Sequence, residues 1–307
     1  MLVQIVLVVV VVVGIVVWVP TFFYGTVRSL EDRLLLQPPH TTDKLSPFYE
    51  SWKVIDLCCG GKLLAFTRSN NSKRSIFICY GNAGFANGMQ EFVQMFMRDE
   101  YYNKIYLLEY PGYGVCAAPA KPKPTPNELV QALKEAWFHV SQPQENTLLG
   151  FSIGGGIVCQ FLEQHQDIYP GKVIILNSFV SIPQLVKDHF GKLAARWIVP
   201  ALQNQWFSYR GLRKFLKTNS NHLLTLVSTR DDRLIGPHHS QLLYEKLKRF
   251  VKHGKNQIRQ IELPSGGHNS SVYFHFDLWR ERECADLAVA GADLPDLPDL
   301  VCDDRDA

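Results

Sequence analysis

Gly150-Phe151-Ser152-Ile153-Gly154 decides how the rest of the chain reads. Just before it, Thr147-Leu148-Leu149 is short, apolar and partly β-branched, as a buried strand would be. Just after it, Gly155 and Gly156 lead into Ile157, Val158, Phe161 and Leu162, apolar at helical spacing. Ser152 therefore sits where a strand turns sharply into a helix, a turn that strains its backbone and holds its hydroxyl clear of the sheet. Glycine is required at 150 and 154 because a Cβ at either would collide across the turn. The pattern alone arises by chance often enough in a chain of 307 residues that its strand-before, helix-after setting carries the argument.

Outward from this turn, strands and helices alternate. Trp52–Leu57 and Leu63–Phe66, separated by Gly60-Gly61, read as a hairpin. Ser75–Tyr80 reads as a buried strand ending in Gly81-Asn82-Ala83-Gly84, with a helix to follow from about Asn87 to Arg98. Ile105–Leu108 is the next strand and runs into Glu109-Tyr110-Pro111-Gly112-Tyr113-Gly114. Thr125-Pro126-Asn127-Glu128 opens a helix with a capping box and proline at its first position. Further strands are expected at Lys172–Leu176, Leu223–Val227 and Ile258–Leu263, with a basic helix from about His239 to Lys252. Residues 178–221 break the alternation and are rich in large apolar side chains, among them Phe190, Trp197, Trp206 and Phe215. The whole predicts an α/β fold: a mostly parallel central sheet, helices on both faces, and ligands beyond the carboxyl ends of the strands.

The composition, 46% hydrophobic and 20% charged, suits one large domain or two small ones. Leu2 to Val19 carries no charge, and at ~1.5 Å per residue it would reach ~27 Å, close to the thickness of a bilayer's hydrocarbon core. It has no basic leader and no small-residue cleavage site, and Trp18, Phe22, Phe23 and Tyr24 follow like an interfacial belt. These features predict one transmembrane helix within 1–24, a globular domain over 25–282 and a disordered acidic tail over 283–307. Arg28, Arg33 and Lys44 all lie C-terminal to the apolar run and place the domain in the cytosol. The sequons at Asn70 and Asn269 would argue for a lumenal side.

Seven Asp and one Arg from Cys284 onward leave +9 on residues 1–283 out of a net +3, a basic body suited to an anionic membrane surface. No stripe of Lys and Arg interleaved with aromatics points to nucleic acid. The seven cysteines are irregularly spaced with no C-x-x-C pair, which reads as buried free thiols in a reducing compartment. No metal or cofactor is expected.

A serine hydroxyl attacks only if a base removes its proton, and an imidazole base needs a carboxylate to fix its tautomer. Of ten histidines, His268 in Ser265-Gly266-Gly267-His268-Asn269 lies on a glycine loop directly after the last strand. His238 and His239 open a helix and read as capping or solvated, while His139, His165 and His189 lie in helical stretches. The acid should follow the preceding strand, where Asp231 and Asp232 stand side by side. The acid is expected two residues before an aliphatic pair, here Leu234-Ile235, which selects Asp232 and leaves Asp231 as a turn residue. The order Ser, Asp, His is that of an α/β-hydrolase. Two backbone N–H groups must hold the oxyanion: Ile153 supplies one, and Asn82, with Ala83 as the other candidate, supplies the second.

Gly150–Gly154, Asp232 and His268 together resemble the α/β-hydrolase superfamily. More finely, Glu31–Pro39, Tyr80–Gly84, Tyr110–Gly114, Asn177–Pro183 and Gly266–Asn269 are similar to its single-anchor membrane hydrolases, the group related to protein depalmitoylases that includes serine peptidases and esterases. Tyr80 stands where that group has His, and Gly236 where it has Pro after the acid. The resemblance implies that residues 178–221 form a short helical lid, and it implies hydrolysis of an acyl ester or thioester, of a lipid or an S-acylated protein, through an acyl-enzyme on Ser152. The other readings are a serine peptidase of the same fold and, in a different class, an inactive membrane-tethered binding module.

Overall fold

The computed structural model describes residues 23–27, 36–39, 44–69, 72–99, 101–117, 123–140, 146–165, 170–217, 222–251 and 256–284. The Leu2–Val19 run, Asn70 and all but the first residues of the acidic tail lie outside them. Among the described residues no helix is long and apolar enough to cross a membrane.

Eight strands form one sheet: β1 (Lys53–Asp56), β2 (Lys62–Thr67), β3 (Ser75–Cys79), β4 (Lys104–Glu109), β5 (Asn146–Phe151), β6 (Lys172–Leu176), β7 (Leu223–Thr229) and β8 (Gln257–Leu263). Their spatial order is β1-β2-β4-β3-β5-β6-β7-β8. The β1–β2 and β2–β4 pairs are antiparallel, and every later pair is parallel. Strands β3, β5, β6 and β7 are buried along their whole length, as covering on both faces requires. At the edges burial lapses: three of the four residues of β1 are exposed.

The helices are α1 (Gln90–Arg98), α2 (Pro126–Phe138), α3 (Ile153–Gln164), α4 (Ile182–Ile198), α5 (Ser208–Leu216), α6 (His238–Leu247), α7 (Gly267–Phe274) and α8 (Phe276–Cys284). Helix α2 starts with the expected capping box, Glu128 N–H donating to Thr125 Oγ1 and Thr125 N–H to the Glu128 carboxylate. Right-handed crossovers from a sheet of this order put α2, α3, α5 and α6 on one face, each packed on the next. On the other, α1 meets α8, with the Phe96 and Phe276 rings 5.0 Å apart and Trp279 fully buried. Nothing in the local pattern near Trp279 had marked α8 as a helix.

The expected lid is shorter than residues 178–221. Helix α5 belongs to the core layer: Leu212, Phe215 and Leu216 are buried, and Gly211 lets its backbone press on the Cys159 carbonyl of α3. Trp206 is also buried, against Gly156. What remains outside the core is α4, broken in two at Gly191, where the backbone adopts φ 78° and ψ 164°. Of the described cysteines, Cys79 and Cys159 are buried with thiols pushed up to about 12 by that burial, but Cys58 is exposed and Cys59 and Cys116 are half-buried, contrary to the sequence expectation.

Candidate active site

Ser152 stands alone between β5 and α3 with φ 55° and ψ −120°, a strained conformation for a residue with a side chain. Three contacts fix it there. Its N–H donates to Leu176 O on β6 at 2.9 Å, and its carbonyl accepts from Ser178 Oγ at 2.7 Å and from Gly155 N–H at 3.0 Å. A Cβ on Gly150 would sit 2.5 Å from Gly155 Cα, and one on Gly154 would fall onto the Cys79 carbonyl, 2.6 Å from Tyr80 O. The strand and helix can approach this closely only because both positions lack side chains.

His268 reaches the serine from the far side of the sheet. Gly266 and Gly267, at φ 108° and 61°, turn the chain out of β8 and place His268 in the first turn of α7. Its Nε2 lies 2.9 Å from Ser152 Oγ and its Nδ1 2.7 Å from Asp232 Oδ2. The Asp232 side chain is fully buried; its other oxygen, Oδ1, accepts from Leu234 N–H at 2.8 Å and Ile235 N–H at 2.9 Å. With Oδ2 accepting, Nδ1 carries the imidazole proton and Nε2 is left as the acceptor facing the hydroxyl. The structure thus unites the three residues selected from the sequence.

Several partners of His268 escaped the sequence reading. Asp231 accepts from Gly267 N–H at 2.8 Å and Gly266 N–H at 3.2 Å, bonds that hold its carboxyl below the usual range and tie down the glycine loop. Asn177, at φ 43° after β6, donates through Nδ2 to His268 O at 2.8 Å, and its Oδ1 accepts from Thr229 Oγ1 at 3.1 Å. The Phe151 ring stacks on the imidazole at 5.3 Å. The adjacent acidic pair was a usable signal for Asp231. Asn177 opens one of the segments that carry the resemblance, but nothing local marks its contact with His268.

The loop after β3 lies directly over the serine: a Cβ on Gly81 would come within 3.3 Å of Ser152 Cβ. Asn82 follows it, and Ile153 opens α3, where an N–H has no intrahelical acceptor. The Asn82 side chain is held as an acceptor by Gln37 N–H at 2.7 Å and Tyr113 OH at 3.3 Å. Tyr80 is locked to Tyr110 beneath the loop: Tyr110 OH donates to Tyr80 O at 3.0 Å, and Tyr110 N–H donates to Tyr80 OH at 3.3 Å. Its ring requires glycine at 84, where a Cβ would come within 2.6 Å of it.

Glu109, at the end of β4, is fully buried beside this loop and accepts from Ala86 N–H at 2.6 Å. Burial pushes its carboxyl from 4.5 up to about 8, only partly offset by hydrogen bonds from Ala86 and Tyr80. Between these two values the folded chain holds one proton that the unfolded chain has lost, so stability falls as pH rises from about 4.5 to about 8. By pH 7 the loss amounts to about 3 kcal/mol. Glu109→Gln is expected to flatten that part of the profile in urea unfolding at pH 5 and pH 8. An undiminished fall in the variant would assign the effect to another group.

His238 is exposed, as expected, but His239 is not a capping or solvated residue. His239 is buried, its Nδ1 accepts from Val180 N–H at 3.2 Å, and its Nε2 lies 3.1 Å from Asp188 Oδ2. Burial brings its imidazole down to about 4. Ligand atoms of Asp188, His238 and His239 lie within 4.8 Å of one another. An Nδ1 that accepts a hydrogen bond, however, leaves the proton on Nε2 of the neutral ring, the atom that would have to bind a metal. The cluster instead fastens α4 to α6, helped by the 2.9 Å His238–Asp188 pair.

This geometry has relatives. The described residues share their fold with an esterase of Pyrococcus furiosus (16% identity, TM-score 0.58, 83% of this chain and 99% of that one). The same holds for an esterase of a Rhodococcus species (13%, 0.53, 79% and 100%) and for a membrane phospholipase A described as a bacterial virulence factor (14%, 0.51, 95% and 99%). No curated protein sequence matches the chain significantly. The sequence profile of the family described as serine aminopeptidase, S33, matches residues 70–265, most of the sheet from just before β3 to the glycine loop. By that match, which takes in the serine turn and the acid and stops three residues short of His268, the chain belongs to the serine aminopeptidase S33 family of α/β-hydrolases.

Proposed function

We propose that this hydrolase cleaves a carboxylic ester or thioester, of a lipid or an S-acylated protein, through an acyl-enzyme on Ser152. His268 Nε2 takes the hydroxyl proton as Ser152 Oγ attacks the carbonyl carbon, and Asp232 stabilises the resulting imidazolium through Nδ1–H. The tetrahedral oxyanion is held by the N–H groups of Ile153 and Asn82. Collapse expels the alcohol or thiol, which leaves with the proton from Nε2. A water molecule, deprotonated by the same imidazole, then releases the carboxylic acid. The observation that carries this reading is the unbroken relay from Ser152 Oγ to His268 Nε2 at 2.9 Å and from Nδ1 to Asp232 Oδ2 at 2.7 Å.

The apolar run Leu2–Val19 is proposed as the anchor that holds the domain at a membrane on the cytosolic side, raising the effective concentration of membrane-borne acyl substrates. A glycosylation shift at Asn70 in cells would reverse that topology.

A second reading, peptide hydrolysis, follows from the family's description as serine aminopeptidases. Such a site needs an anion for the substrate's α-ammonium. Asp188, Asp231 and Asp232 are each committed to histidine or backbone partners, which favours ester and thioester substrates.

Labelling by a fluorophosphonate probe tests the nucleophile. The full chain is expected to label and Ser152→Ala not to; equal labelling of both would place the reactive group elsewhere. Panels of acyl esters, acyl thioesters and aminoacyl amides then separate the two readings.

A further inference from the structure

Helix α4 presents a surface that neither the fold nor the proposed chemistry uses. Past the Gly191 break, Leu193 and Trp197 are 85% and 69% exposed at a spacing of four, and Phe190, 56% exposed, ends the half before it. Leu234 is also exposed, and its carbonyl is bonded to His189 Nε2, next to Phe190, at 2.9 Å. Lys192 and Arg196 are exposed between these apolar residues, and neither is ion-paired among the described residues. Asp188, the one acid of α4, is already engaged by His238. Soluble monomers rarely leave so many large apolar side chains together in water.

We infer that this face of α4 docks on a bilayer containing anionic phospholipid, with Phe190, Leu193 and Trp197 at the level of the acyl–headgroup boundary and Lys192 and Arg196 against phosphates. An apolar face carrying Trp and Phe and flanked by cations is the pattern of an interfacial helix. Each cation near an anionic leaflet adds to the attraction, and tryptophan prefers that depth.

The chain itself orients the contact. Gln37, which follows the proposed anchor, donates its N–H to Asn82 at the carboxyl end of β3. Helix α4 rises from the loop after β6, at the same end of the sheet. Gln37 and the start of α4 thus stand at the same end of the sheet as Ser152, so a proposed anchor leading into Gln37 and helix α4 can engage one membrane. This inference rests on the membrane anchoring proposed above and is independent of the acyl chemistry.

Photocrosslinking tests it. The full chain carrying Leu193→p-benzoylphenylalanine is reconstituted in vesicles of phosphatidylcholine with and without phosphatidylserine. Phe138, 69% exposed at the far end of α2, receives the same replacement as the control. Phospholipid adducts are expected at 193 at least ten-fold above those at 138, to rise with phosphatidylserine, and to fall with Lys192→Gln and Arg196→Gln. Adducts from 193 confined to the same chain, which would mean that α4 folds over the site, overturn the inference. So do adducts to a second copy, or lipid adducts no higher than at 138. A chain that does not float with vesicles overturns the anchoring and this inference together, whereas fluorophosphonate labelling judges the chemistry separately. In the same vesicles, joint replacement of Phe190, Leu193 and Trp197 by Ser is expected to slow hydrolysis of a bilayer-embedded long-chain ester at least five-fold and to leave a water-soluble short ester unaffected. Equal loss on both substrates would count against docking.

Discussion

Asp232→Asn is expected to lower kcat by roughly four orders of magnitude while leaving KM and stability near their original values. The reason lies in which oxygen does what. Asp232 Oδ1 accepts two backbone N–H groups, from Leu234 and Ile235, while Oδ2 faces His268 Nδ1. Asparagine has one oxygen, and the buried backbone donors claim it, since leaving them unpaired costs about 1–3 kcal/mol each. The NH₂ is then forced toward Nδ1, which must become the acceptor. The imidazole proton moves to Nε2, 2.9 Å from Ser152 Oγ, and the ring can no longer accept from the hydroxyl. Steady-state kinetics on a short acyl ester check this, with circular dichroism to show an intact fold. A loss below ten-fold would mean that Asp232 does not set the tautomer.

The largest effect on stability is expected from Gly154→Ala. The new methyl would overlap the Cys79 carbonyl oxygen and lie 2.6 Å from Tyr80 O, so either β3 or α3 must move. Both are buried, and their backbone atoms cannot swing aside as a flexible side chain would. A loss of about 4 kcal/mol or more in urea unfolding is expected, with little soluble protein at 37 °C. Gly191→Ala is the contrast. No atom lies within 4 Å of the added Cβ, so only the backbone conformation is penalised, φ 78° and ψ 164° being nearly confined to glycine, at about 1–3 kcal/mol. Similar losses in the two variants would show that packing at the turn is not what excludes the side chain.

The serine turn, the acid and the imidazole were legible because their chemistry imposes local patterns: two glycines around Ser152, an acid after one strand, a glycine loop after the next. The mostly parallel sheet needed little more than the alternation, which leaves the strand order open. What the sequence concealed depends on contacts between distant loops. Asp231 looks like any turn residue until Gly266 and Gly267 are seen to donate to it. Asn177 gains its role from His268, ninety-one positions away. His239 reads as a helix-start residue, yet the chain at Val180 buries it. Helix α5 reads as lid in the sequence because its apolar content is the same whether it covers a site or packs in a layer; burial of Leu212 and Phe215 and the close approach of Gly211 to Cys159 separate the two.

The bond from Ser152 N–H to Leu176 O makes the attacking residue a rung of the sheet itself. Its stiffness is inherited from the most deeply covered part of the molecule, so the reacting oxygen is not free to follow a misplaced substrate. Accommodation has to come from the loops that surround it rather than from the nucleophile. Divergence within such a lineage is thus channelled: drift in those loops can change which molecules are admitted, while the placement of the reacting oxygen stays the same.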